Sequence, residues 1–305
     1  MTGEVLYRVE HETRYAHGDR ATTSQHLACL KPRSLDHQRV RRHELLVDPR
    51  PDTIEERRDF FGNHVHYFEI LSPYAELTVL SRTLVSLRAR AAVDPARSIP
   101  WDQVRESSRF RAGVPADVDA QFVFGSPYVA VGPEARAFAG PSFPPGQPAL
   151  AGAIDLMHRI HAEFRFDPGA TTVATPVTRV LADRHGVCQD FAHLMIAALR
   201  AVGLPARYVS GYLLTDPPPG QPRLVGADAS HAWVALCDPV CGWVDLDPTN
   251  DVLPDLGHIT TAWGRDYGDV SPLRGVVLGG QQQRLHVGVS VLPVSTDLDA
   301  PVASP

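Results

Sequence analysis

Arg184-His-Gly-Val-Cys-Gln-Asp-Phe-Ala-His-Leu-Met-Ile-Ala-Ala-Leu-Arg200 reads as a turn feeding a buried helix. Phe191, Leu194, Met195, Ala198, Leu199 and Val202 recur at steps of three and four, and Ile196 and Ala197 widen that stripe until little of the helix is polar. A helix of this kind belongs inside a domain. Gly203 is a suitable C-terminal cap, and Pro205 blocks continuation. Cys188 falls at or just before the first turn, where unpaired backbone N–H groups and the helix dipole favour a thiolate over a thiol. Gly186 lets another group approach closely. A reactive cysteine could be mounted here. Free cysteine is also among the most buried residue types and serves elsewhere as a small apolar side chain, so this stretch by itself leaves both readings open.

Composition narrows the field. A chain of 305 residues, 44% apolar and 21% charged, is long enough for two cores and excludes a fibrous or disordered fold. Net charge of -6 and a pI near 6.1 leave no electrostatic footprint for nucleic acid; Arg39, Arg41, Arg42 and the Arg57-Arg58 pair read as a solvated face. No run of apolar residues is long enough to span a bilayer, and the start lacks a signal-peptide pattern, so no membrane partner and a cytoplasmic location are expected. The four cysteines, at 29, 188, 237 and 241, do not make a disulfide framework and suit a reducing compartment.

Outward from the helix, the chain divides. Residues 4–15 alternate, with Val5, Tyr7, Val9, His11, Thr13 and Tyr15 on one side, and runs follow at 26–31, 42–47 and 77–87. Gly62-Asn63 between two apolar arms signals a hairpin. Residues 1–91 are therefore expected to form a β-sandwich. His64 and His66 alternate onto one strand face, and nothing brings His11 or His26 to them as metal ligands. Residues 92–148, rich in Pro, Ala, Ser and Gly, form a connecting segment whose rings, Trp101, Phe122, Phe124 and Tyr128, call for packing across both domains. A core over 149–293 opens with a helix through Leu150, Ile154, Met157 and Ile160, and Thr175-Pro176 reads as an N-cap and first helical position. Extended runs follow Pro205, including Leu224–Ala227 beyond a Pro217–Gly220 loop, and the alternation from Leu285 to about Pro293 is expected to complete the core sheet. Residues 294–305 read as a loose tail.

Two later features bear on the cysteine. Ser230-His-Ala-Trp-Val234 opens a strand with a histidine, and Gly242-Trp-Val-Asp-Leu-Asp-Pro-Thr249 closes the next with an aspartate. Paired as a hairpin through residues 237–242, they set His231 and Asp247 at the same end. A nucleophile at a helix start, a base on a strand and a carboxylate to orient the base are the parts of a Cys-His-Asp triad. Separately, His231 could be an edge residue and Asp247 a turn former. Cys237 and Cys241 lie in one turn without a second pair, a weak zinc pattern, so neither metal nor cofactor is expected.

Taken in order, Gly186-Val-Cys-Gln-Asp-Phe-Ala-His193, Gly203-Leu-Pro-Ala-Arg-Tyr-Val-Ser-Gly-Tyr212, His231-Ala-Trp233 and Asp247-Pro-Thr249 resemble the transglutaminase-like superfamily. Tyr7 to Tyr15, Lys31-Pro-Arg33, Asp59 and Phe61-Gly-Asn63 resemble the β-rich domain preceding the core in its bacterial members. The resemblance implies an α+β chain with a papain-like core, Cys188 as nucleophile, His231 as base and later acid, and Asp247, chosen over Asp245 by the Asp-Pro-Thr match, as orienting carboxylate. No aromatic upstream of the cysteine matches a transition-state stabiliser, which leaves the Cys188 backbone N–H for that task. Gln189, Asp190, Trp233 and Trp243 are further candidates for the site. Asp190 and His193 read first as residues that cap and charge the helix start.

The function expected is attack on a carboxamide of a protein or peptide through an acyl-enzyme, with hydrolysis favoured over amine transfer. Transfer needs a dry, aromatic-walled tunnel, and Trp233 and Trp243 are the only tryptophans near the motifs. A non-catalytic peptide-binding scaffold on the same fold is the alternative of another class. Oligomeric state is not legible.

Overall fold

The computed structural model describes residues 3–109, 118–215 and 230–294. The Pro217–Gly220 loop, the Leu224–Ala227 run and the tail beyond residue 294 lie outside the described residues. The chain is α+β, with a β-rich N-terminal region followed by a helix-on-sheet core.

The N-terminal strands are β1 (Glu4–Ala28), β2 (Gln38–Asp48), β3 (Thr53–Arg58), β4 (His64–Ile70) and β5 (Tyr74–Arg88). In β1 the expected alternation holds, with Tyr7, Val9, His11 and Thr13 buried and Arg8 and Arg14 exposed. Asp59 closes the β3–β4 turn by accepting from the backbone N–H groups of Phe61 and Asn63 and from Asn63 Nδ2. The Asn63 amide then bridges to the core, donating to the Trp263 carbonyl and accepting from its N–H.

These strands run β2-β5-β1-β4-β3 in one hydrogen-bonded sheet. The length of β1 lets a single strand serve both halves of this β-rich region. Its first half pairs with β5 and its second half with β4, with a register break between Ala16 and Ala21. The sheet doubles back there, so Phe68 and Ile70 of β4 pack against Leu77 and Val79 of β5.

In the segment that follows, α1 (Trp101–Ser107) and α2 (Pro133–Ala139) are ordered helices. Phe122 sets its ring 5.9 Å from Phe61 and 5.4 Å from Trp243, joining the two regions as its aromatic content requires.

The core comprises α3 (Ala149–Glu163), β6 (Arg165–Phe166), α4 (Val177–Asp183), β7 (His185–Gly186), α5 (Cys188–Ala201), β8 (Ala206–Leu213), β9 (Ser230–Asp238), β10 (Gly242–Leu246), β11 (His258–Gly264) and α6 (Tyr267–Val270). α4 begins one residue later than the Thr175 cap implies, because Pro176 takes the cap position and Thr175 Oγ1 instead accepts from the Thr172 N–H. Every residue of α5 from Asp190 to Arg200 is buried, between α2 and α3 on one side and the β10-β9-β8-β11 sheet on the other. Arg200, at the buried last turn, donates to the carbonyls of Ala206, Phe124 and Arg265, so backbone carbonyls rather than a carboxylate satisfy it.

The sequence's weak periodicity over 249–283 hides β11, the fourth strand of the core sheet. It also conceals the partners of β12 (Leu273–Gly279) and β13 (Arg284–Val294). Leu285–Pro293, expected to complete the core sheet, pairs instead with the first half of β1, and β12 pairs with its second half. Alternation identifies a strand but not its neighbour. Among the described residues no helix is long and apolar enough to cross a membrane.

Candidate active site

Cys188 is the first residue of α5, after Val187 in extended conformation. The turn before it is tight. A Cβ on Gly186 would stand 2.8 Å from Asp190 Cβ and 2.9 Å from its Oδ2, which is why glycine occupies that position. Asp190 uses the space to cap the helix, accepting from the Val187 N–H at 2.8 Å and from the Thr171 hydroxyl at 2.6 Å. His193 does not charge the helix start. It is buried, stacked on Tyr128, and its Nε2 accepts from the Tyr267 N–H; burial pushes its pKa down to about 4, which keeps it neutral. Gln189 donates to the Val173 carbonyl, fastening the preceding loop.

His231 is the second residue of β9, and Asp247 directly follows β10. The β9–β10 register, with Leu246 opposite Val234, brings the two to one end of the hairpin. His231 Nε2 lies 2.7 Å from Asp247 Oδ2, with His231 8% exposed and Asp247 fully buried. Cys188 acts on the same imidazole, raising its pKa together with Asp247. Cys188, His231 and Asp247 are thus brought together, His231 bonded to the carboxylate and under the influence of the cysteine.

Electrostatics follow from these contacts. Burial alone would lower the His231 pKa, but the hydrogen bonds from Asp247 and Cys188 outweigh it and push it up to about 10. Burial likewise works against the Asp247 charge, and hydrogen bonds from His231, His258 and Asn250 reverse that and hold its carboxyl well below the usual range. Asp245 plays no part here. It pairs instead with Arg90 at 2.6 Å.

Two residues at the site carry no signal in the sequence reading. His258, first in β11, gives its Nε2 to Asp247 Oδ2 at 3.0 Å, and Asn250 Nδ2 reaches the same oxygen at 2.7 Å. Asp247 Oδ1 accepts from the backbone N–H groups of Thr249 and Asn250. The Asp-Pro-Thr-Asn run is therefore a turn built around its own carboxylate, and the Asn in it was within reach of a turn argument. His258 was not, since no local spacing links β11 to β9. His231, Asp247 and His258 are also the described residues spaced to hold a metal ion, yet their ligand atoms are already joined through one oxygen by hydrogen bonds. Cys237 and Cys241 do not join His231; Cys237 Sγ faces Asp119 at 3.7 Å.

Trp233 and Trp243 belong to one cluster with Val209, Ala235 and Trp263. Trp233 is fully buried, its ring 6.0 Å from that of His231 and edge-on to His258 at 5.3 Å. Trp243, a candidate for the site by strand alternation, stacks on the Arg207 guanidinium at 4.0 Å on the sheet face away from α5. Strand alternation placed it on the face of Asp245, and four residues of strand, about 13 Å, separate it from Asp247.

Residues 7–86 match the family model of the bacterial transglutaminase-like N-terminal region, and residues 137–248 match that of the transglutaminase-like superfamily core. The chain belongs to the transglutaminase-like superfamily. Among its relatives, an uncharacterized protein of Mycobacterium tuberculosis is 40% identical over 306 residues, spanning 97% of this chain and 96% of its own length. One from Mycobacterium leprae is 32% identical over 293 residues, spanning 93% and 97%. A protein-glutamine gamma-glutamyltransferase of Pseudomonas aeruginosa is 33% identical over 129 residues, a match covering 36% of this chain and 19% of that protein. The crystal structure of a candidate cysteine protease from Cytophaga hutchinsonii superposes with a TM-score of 0.75 over 97% of this chain and 93% of that one, at 19% identity, and so shares the fold. Within the superfamily's core, the matched region carries both Cys188 and Asp247 as well as His231.

Proposed function

We propose that the protein is a cysteine-dependent amide hydrolase acting on a protein or peptide carboxamide, with Cys188 as nucleophile, His231 as base and then acid, and Asp247 as orienting carboxylate. The observation that carries the reading is the His231 imidazole bonded to the buried Asp247 carboxylate and under the influence of Cys188. In the first half-reaction the sulfur bonds to the carbonyl carbon, the C–N bond breaks, and the leaving amine takes a proton from His231. In the second, His231 takes a proton from water, whose oxygen displaces the sulfur from the thioester to release the acid and restore the thiol. The Cys188 N–H, among the unpaired donors of a helix start, is the group suited to the oxyanion.

Hydrolysis is favoured over amine transfer because the two tryptophans that could wall a dry tunnel are otherwise engaged, Trp233 inside the sheet packing and Trp243 on Arg207. The four cysteines are free, which suits action in a reducing compartment such as the cytoplasm. The test has two parts. A stoichiometric alkylating reagent should modify Cys188 much faster than the buried Cys29, whose thiol burial pushes up to about 12. With a panel of glutamine-containing and isopeptide-linked peptides plus millimolar primary amine, acid should predominate among the products; predominant amide would make the protein a transferase, and no turnover with any acyl donor would favour a binding protein.

A further inference from the structure

On the face of the core sheet away from α5, a cleft of about 400 Å³ lies between the segments around His37 and Arg90 and the strands β8, β10 and β11. It opens into a neighbouring recess of about 600 Å³ that shares Asp36, His37, Arg90, Trp243 and Asp245. Its wall holds a buried cation without an ion-pair partner among the described residues. Arg207 is 8% exposed, and its guanidinium is sandwiched between the faces of Trp243 at 4.0 Å and Trp263 at 3.7 Å, with Arg33 on the far side of Trp263 at 3.5 Å. Its Nε has no hydrogen-bond partner among the described residues. Among the described residues, Arg90 spends only Nη1 on Asp245, leaving buried Nε and Nη2 unpartnered, and His37 Nε2 is buried and unpartnered as well. Unpaired buried donors are costly, and so many around one cleft mark a place where an acceptor belongs.

We propose that this cleft is a binding site for a small monocarboxylate, held by the guanidinium groups of Arg90 and Arg207 and flanked by the Trp243 and Trp263 indoles. Planar guanidinium donors match the fork of a carboxylate. Charge count sets the class. Arg90 and Arg207 face Asp36 and Asp245 in the same wall, a balance that accommodates one added negative charge better than the two or more of a phosphate. Burial pushes the His37 pKa down to about 4, so at neutral pH it serves as a neutral hydrogen-bonding group. The volume fits a ligand the size of an acylated amino acid. The site is separate from Cys188, lying on the opposite face of the sheet, and does not depend on the catalytic reading above.

Arg207 between two indoles supplies its own reporter. The full chain would be titrated with N-acetylglycine at fixed ionic strength, following tryptophan fluorescence and binding heat, with N-acetylglycinamide and inorganic phosphate in parallel. Saturable binding of N-acetylglycine, absent with the neutral amide, is the expected result, and R207Q should weaken it at least about tenfold. R90K, which keeps the Asp245 ion pair but loses the planar fork, should weaken it several-fold and decides the matter if R207Q does not fold. Equal binding of the amide, tighter binding of phosphate, or unchanged affinity in R90K would overturn the proposal.

Discussion

His231 and His258 direct their Nε2 atoms at the same oxygen, Asp247 Oδ2, from 2.7 and 3.0 Å. That oxygen also accepts from Asn250, while Oδ1 takes two backbone N–H groups of its own turn. A carboxylate with this many donors has no freedom to rotate, and the His231 ring inherits its orientation. For the proposed mechanism the first expected outcome concerns this carboxylate. Asp247→Asn should retain the fold yet reduce turnover by about two to four orders of magnitude through the wrong histidine tautomer. Asp245→Asn, which breaks only the Arg90 pair, should stay within about threefold of wild type. Steady-state kinetics on both variants check this; the reverse ranking would transfer the orienting role to Asp245.

Cys188→Ala and His231→Ala should each reduce turnover by about three orders of magnitude or more, and the double variant should be scarcely worse than either, because the pair works as one unit. Additive losses measured in the double variant would show that the two side chains act in separate steps.

The stability that the His231–Asp247 pair contributes should depend on pH in a defined window. The His231 pKa is raised from its usual 6.5 to about 10, so its contribution is complete below about 6.5 and is lost as pH rises towards 10. The Asp247 pKa is lowered from its usual 3.8, so its contribution is present above that value and is lost as pH falls below it. Buried His11 and His26 and half-buried His43, each pushed down to about 4 by desolvation, weaken the whole fold below 6.5, since the unfolded chain protonates them first. The informative quantity is therefore the difference between wild type and Asp247→Asn. By urea denaturation it should be largest between about pH 4.5 and 6.5 and shrink steadily to pH 10.

Packing beneath the site gives a structural expectation. Gly211 of β8 faces the six-membered ring of Trp233, and a Cβ there would fall 2.1 Å from the Ile259 carbonyl oxygen and 2.5 Å from Trp233 Cη2. Neither neighbour can yield, one being strand backbone and the other a fully buried ring. Gly211→Ala should cost about 3 kcal/mol or more, near the top of the overpacking range, and should displace the indole that lies against His231. Leu194→Ala, a cavity within α5, should cost about 2–5 kcal/mol without touching the site. Thermal denaturation, with Cys188 alkylation rates as a site readout, distinguishes the two: only the glycine variant should alter the alkylation rate.

Much of this arrangement was legible in residue order. The apolar stripe through Phe191 and Leu199 located a buried helix, and a hairpin joining His231 to Asp247 follows from alternation and a short turn. What escaped was non-local. His258 meets Asp247 only because β11 pairs with β8 and not with its sequence neighbour β10, and pairing across a gap of this kind has no periodic trace. β1 read as ending near Tyr15 because Gly18, Asp19 and Arg20 are exposed and polar, although the strand runs on to Ala28 across a register break. Whether Trp243 reaches the site could not be read from the sequence, because alternation gives a face and not a distance along the strand.

The sharing of β1 has a consequence for how the molecule comes into being. Leu6 through Ala16 hydrogen-bond to Val294 through Arg284, at the opposite end of the described chain. During synthesis these early residues leave the ribosome long before their partner exists, and one edge of the growing sheet stays open until residues 284–294 emerge. The N-terminal region therefore cannot finish folding as a unit of its own while translation proceeds, and a nascent chain halted before residue 280 would present that bare edge to chaperones.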